Sequence, residues 1–120
     1  MKKCSTRRLT EILGKKWTLE LVQEIDINGI NGFNALQKRI KKINPKVLSR
    51  RLKELGEQGI LKKESTINNN LLKTRYTLTE KGRELCSIID LLRHLNAKYD
   101  NRKCKTKNCI ECELYQSSQL

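Results

Sequence analysis

Apolar residues recur at helical spacing along most of this chain and alternate with polar ones in a single stretch. In "STRRLTEILGKKW", Leu9, Ile12 and Leu13 share one side, with Ser5 placed to cap the first turn and Gly14 to interrupt the helix. "WTLELVQEI" stacks Trp17, Leu21 and Ile25 on one face with Val22 beside them. The "NGING" that follows reads as a turn. "FNALQKRIKKI" directs Phe33, Leu36 and Ile40 inward as a short helix. Asn44-Pro45 opens the next one: Asn caps, and Pro at the first helical position sacrifices no hydrogen bond. Leu48, Leu52 and Leu55 then recur at successive turns until Gly59 ends the helix.

Next the period falls to two. "ILKKESTI" and "KTRYTLT" read as the strands of a hairpin whose polar tip is "NNNLL". "TEKGRELCSIIDLLRHLNAKY" returns to helical spacing, capped by Thr79. Its stripe of Leu85, Ile88, Ile89, Leu92 and Leu95 is long enough to need a partner to cover it. Four helices, a hairpin and a long helix predict an α+β, mostly α fold, a winged helix-turn-helix with a two-stranded β wing. The folded domain is expected over residues 1–99, with a cysteine-bearing tail over 100–120.

Charge gives this fold a partner. Twenty-six Lys and Arg against thirteen Asp and Glu leave a net +13. Between Lys38 and Lys63 there are ten basic and two acidic residues, so +8 falls within that one segment. At about 100° per residue, Lys46, Arg50 and Lys53 lie about 140–200° from Leu48, opposite the leucine stripe, with Ser49 at their margin. A helix docked in the major groove presents such a face: phosphates attract the cations, and an Arg fork can read guanine. Lys62, Lys63, Lys73 and Arg75 on the hairpin extend the basic surface towards double-stranded DNA. Arg51 flanks the core, better placed for a backbone or carboxylate contact than for a base. No apolar run approaches the roughly 20 residues of a membrane span, and none follows the basic start as in a secretory signal. A cytoplasmic location with reduced thiols is therefore expected. An enzyme is not: His94 is the only histidine, and there is no phosphate-cradling Gly loop.

"ILGKKWTLELVQEI", "GFNAL", "INPKVLSRRLKELGEQGIL" and "YTLTEKGREL" resemble, in order and spacing, the HxlR-type transcriptional regulators, a branch of the MarR-like winged-helix proteins. The resemblance runs from about Cys4 to Leu95. It implies a homodimer joined through the first and last helices, which would cover the long stripe. It also implies paired recognition helices on a pseudo-palindromic operator, and a sensing cysteine just before the first helix, where Cys4 stands. Three departures are visible. The wing "NNNLLKTRY" lacks the usual proline, the last helix ends "RHLNAKY" without the usual tryptophan, and Ala35 stands where Glu is common.

A dimer of that kind would bring the two ends of the chain together, Cys4 with Cys104, Cys109 and Cys112. Lys2, Lys3, Arg7 and Arg8 near Cys4 would favour the thiolate, as would Lys103, Lys105 and Lys107 in the tail. Redox sensing through a disulfide is one use of the four cysteines. A zinc site or an iron–sulfur cluster on the same four is another, in a basic protein that would meet an acidic protein or RNA. Free thiols or a structural disulfide is the third. Cys86, beside Leu85, reads as a small core residue.

Overall fold

The computed structural model describes residues 4–100. The elements are α1 (Ser5–Leu13), α2 (Thr18–Asn28), α3 (Phe33–Arg39), α4 (Pro45–Glu57), β1 (Leu61–Asn68), β2 (Leu71–Leu78) and α5 (Glu80–Tyr99). This is the winged helix-turn-helix that the periodicity predicts: helices α3 and α4 form the motif and the antiparallel β1–β2 ribbon forms the wing. One core unites the elements. Leu21, Val22 and Ile25 of α2 meet Leu36 and Ile40, the three leucines of α4, Ile60 and Leu61, and Leu85 and Ile89 of α5.

The helix ends follow local chemistry. Asn44 Oδ1 accepts the Lys46 backbone N–H at 2.8 Å, and Pro45 begins α4. Thr79 Oγ1 accepts the Gly82 N–H at 3.0 Å at the start of α5. Beyond α4, Gly59 takes the left-handed conformation with φ 72°. At α1 the expectation shifts by one residue: Cys4 occupies the cap position, and Ser5 is already helical. Trp17 sits at the cap of α2 in a left-handed conformation, φ 77°, rather than inside that helix.

Three further differences have physical reasons. The five-residue tip expected at "NNNLL" contracts to Asn69–Asn70, with φ 52° and 63°. Two Asn residues tolerate the left-handed backbone of a type I′ turn, so Asn68, Leu71 and Leu72 remain paired in the strands. "NGING" is more than a turn. Asn28 continues α2, Gly32 bridges Arg75, and the Tyr76 N–H donates to the Asn31 carbonyl at 2.8 Å, which fastens the wing to the helical body.

The α5 stripe, finally, divides. Leu85 and Ile89 are buried in the domain's own core, whereas Ile88, Leu92 and Leu95 are each more than half exposed, joined by Leu91 and Tyr99. Leu85 and Ile89 are one turn apart on the side that faces the core; Ile88, Leu91 and Leu95 are turned about 60–120° from Leu85, whereas Leu92 and Tyr99 lie within about 40° of it and are exposed because they stand further along α5, past the last core residue Ile89.

Candidate nucleic-acid interface

The surface of α4 follows from its leucines. Leu48, Leu52 and Leu55 are at most 2% exposed, and their burial fixes which side of the helix faces out. Lys46, Ser49, Arg50 and Lys53 are all exposed on that outer side. Among the described residues no carboxylate pairs with any of the three cations, so their charge is available to an anionic partner.

Arg51 takes the carboxylate contact expected of its place beside the core, and so stands apart from the DNA-facing cations. Its side chain is only 12% exposed: Nε donates to the Lys16 carbonyl at 3.0 Å, and Nη1 to Glu54 Oε1 at 2.8 Å. Lys15 Nζ holds the other Glu54 oxygen. Burial would push the Glu54 carboxyl up, but the hydrogen bonds and charges of Lys15 and Arg51 outweigh it and hold the group below its ordinary value. The cluster secures α4 to the α1–α2 connector. A second buried carboxylate, Glu24, accepts Arg39 Nε at 2.9 Å and Asn28 Nδ2 at 3.2 Å, tying α2 to α3. Sequence reading passed over both. The available signals were the Arg51–Glu54 spacing along α4 and the place of Glu24 beside the Leu21–Ile25 face.

The wing divides its cations. Cross-strand pairs Lys62–Thr77, Glu64–Arg75 and Thr66–Lys73 put Lys62, Arg75 and Lys73 on one face. Lys63 pairs with Tyr76 on the other face, the one that Leu61 carries into the core. All four are exposed, and Lys62 lies 3.9 Å from Glu64.

Cys4 is exposed at the N-terminus of α1. The backbone N–H groups of Arg7 and Thr6 at the start of α1 hold its thiol below the ordinary value, with the Thr6 side chain adding to them. Among the described residues the cause is the helix terminus, with Arg7 and Arg8 both facing Glu11 at 3.4 and 4.0 Å; Lys2 and Lys3 lie outside the described residues. Cys86 is the opposite case. It is half-buried, and burial together with the Asp26 carboxylate pushes its thiol up to about 12. Cys104, Cys109 and Cys112 lie outside the described residues, and with them any disulfide, zinc or iron–sulfur arrangement. No described helix is long and apolar enough to cross a membrane.

The family model described as HxlR-like helix-turn-helix matches residues 12–104. The HTH-type transcriptional regulator YvaP of Bacillus subtilis is 32% identical over 82 residues, 68% of this chain and 74% of that protein. The regulator YodB of the same bacterium is 34% identical over 77 residues, 64% of this chain and 67% of its own. The solved reduced form of YodB superposes with a TM-score of 0.71 at 26% identity, covering 84% of this chain and 97% of that one. The redox regulator HypR in its reduced form gives 0.67 at 26%, covering 79% and 92%.

Proposed function

The chain belongs to the HxlR-like helix-turn-helix family, and on that premise we propose that it is a transcriptional regulator that binds double-stranded DNA as a homodimer. The observation that carries this reading is the outer face of α4, where Lys46, Arg50 and Lys53 stand exposed opposite three buried leucines. The α4 helix enters the major groove. Lys46 and Lys53 meet phosphates, Arg50 reaches a base edge with Ser49 beside it, and Lys62, Lys73 and Arg75 of the wing hold the flanking backbone. Arg51 contributes indirectly, by fixing the angle of α4. The α5 residues Ile88, Leu91, Leu92, Leu95 and Tyr99 join two copies, so that paired helices read a pseudo-palindrome with half-sites about 34 Å apart. The relatives in the comparison are named as regulators, not as enzymes.

The regulator responds to oxidants through Cys4. A hydroperoxide takes two electrons from the Cys4 thiolate and leaves it as a sulfenic acid, releasing an alcohol or water. The thiol of Cys104, Cys109 or Cys112 then displaces water to form a disulfide. The lowered Cys4 thiol supports this use, as does the likeness to YodB, which was also solved after diamide treatment.

Binding to duplex DNA over a range of salt concentrations tests the main reading. Lys46→Ala or Lys53→Ala should weaken binding across sequences and reduce the salt slope by about 1 each. Arg50→Ala should cost about 1–3 kcal/mol and relax preference at one base pair. Binding indifferent to salt and to all three changes would remove the assignment. Oxidant should alter operator binding and subunit cross-linking in the parent but not in Cys4→Ser, while metal retained by the purified chain would turn the four cysteines towards a zinc or iron–sulfur role.

A further inference from the structure

A cleft of about 370 Å³ separates α2 from α5 and shares no residue with the basic faces of α4 and the wing. Its volume is that of a small-molecule site. Gln23, Asp26 and Ile27 follow one another at i, i+3 and i+4, so they share the side of α2 that lines it. Arg83, Cys86, Ser87 and Asp90 repeat in the same way along α5, with Ile89 beside them.

The polar groups of this cleft are unevenly satisfied. Asp90 is taken up by its own helix: it pairs with Arg93, and the His94 ring lies 3.8 Å away. Ser87 Oγ donates to the Arg83 carbonyl at 3.4 Å. The Cys86 thiol, pushed up to about 12 by burial and by Asp26, stays protonated and adds no charge. Three groups remain. Gln23 is 6% exposed, and its Oε1 accepts no hydrogen bond among the described residues. A buried carbonyl oxygen without a donor costs stability, so this one calls for a partner from outside the chain. Asp26 and Arg83 line the same cleft with opposite charges, yet among the described residues no ion pair joins them.

Opposite charges held apart in one cleft are complementary to a molecule that carries both, its cation at Asp26 and its anion at Arg83. An N–H of the cationic group supplies the donor that Gln23 Oε1 lacks. Ile27 and Ile89 provide an apolar wall for the carbon atoms between the two ends. Simpler occupants fit less well. A plain amine leaves Arg83 unpaired, and a plain carboxylic acid leaves Asp26 and Gln23 without a donor. A divalent cation would face the Arg83 charge, and no group of three metal-ligating side chains stands among the described residues.

We infer that the α2–α5 cleft binds a small amino acid, its ammonium group between Gln23 and Asp26 and its carboxylate on Arg83. The inference goes beyond the DNA-binding reading and does not depend on it. Because α5 also carries the proposed dimer surface, a ligand seated here would brace that surface against the helical body.

The full chain, reduced and free of DNA, tests this by calorimetric titration and thermal unfolding. The probes are glycine, γ-aminobutyrate and ε-aminocaproate, each set against the alkylamine and the carboxylic acid of matching length. At least one of the amino acids should bind and raise the thermal midpoint, as a ligand of the native state does. Its matching amine and acid should bind about tenfold more weakly or worse, since each lacks one charge-assisted pair. Arg83→Gln should reduce the amino acid to the affinity of the amine, and Asp26→Asn to that of the acid. Both positions are exposed, so circular dichroism should be unchanged. Gln23→Leu removes an unpaired acceptor, so its unliganded midpoint should hold or rise while the shift caused by the amino acid is lost. Failure of all three amino acids to bind overturns the site, as does binding that Arg83→Gln and Asp26→Asn leave unchanged. A lowered midpoint in Gln23→Leu with binding intact shows that its oxygen is already satisfied, and overturns it too.

Discussion

Arg50 and Arg51 are chemically identical neighbours with opposite placements. One helical step separates a guanidinium in solvent from one held by Glu54 and the Lys16 carbonyl. The angle of Arg51 beside the core was readable; its partners, 35 and 3 residues away in sequence, were only partly so. Glu54 is the more testable member of the cluster. Its carboxyl is held below its ordinary value of 4.5, so the folded state favours the ionised form. The stabilisation is therefore full above pH 4.5 and is lost as the pH falls below it towards the folded value. Glu54→Gln should cost about 2–3 kcal/mol near neutrality, because Lys15 and Arg51 lose their shared carboxylate. Urea unfolding as a function of pH should show the parent losing stability on acidification, with the variant losing less. Cys4 carries a similar lesson: the neighbouring cations were legible in the sequence, whereas the backbone N–H groups of the first helical turn, which also lower the thiol, were not.

At the scale of elements, apolar spacing located all five helices and both strands, since each element has one face that must be buried. The misreadings cluster where backbone conformation outweighs side-chain pattern. Asn69–Asn70 close the hairpin in two residues, and Asn31 and Gly32 supply backbone partners for β2. The "TEKG" sequence at the head of α5 is explained by close approach. Thr79 caps the helix, its N–H donates to the Ile60 carbonyl at 3.0 Å, and a Cβ on Gly82 would collide with that same carbonyl oxygen. Gly82→Ala should therefore destabilise the domain by about 1–3 kcal/mol despite its better helix propensity. Thermal unfolding measures this, and an unchanged or raised midpoint would show that α5 can move away from β1 at no cost.

At the scale of the molecule, α5 serves two surfaces. Leu85 and Ile89 close the core, and Ile88, Leu91, Leu92, Leu95 and Tyr99 remain exposed, the surface that the proposed homodimer would cover. Leu92 is 55% exposed, so Leu92→Glu should leave the helical circular-dichroism signal unchanged. It should shift sedimentation to a single copy, and duplex binding should weaken by about tenfold or more once two half-sites no longer bind as one. A variant that remains paired would place the contact elsewhere.

The sequence by itself determined the order of elements, the buried face of α4 and therefore the outward direction of its cations. Each of these follows from local periodicity and capping, which act within a few turns of chain. Only the tertiary structure decided which carbonyl and carboxylate hold Arg51, that the α5 stripe splits, that the wing cations divide between faces and that Ile67, Leu71 and Leu72 stand exposed at the end of the wing. Those outcomes depend on which distant residue arrives opposite a given side chain, and spacing along one element does not contain that information.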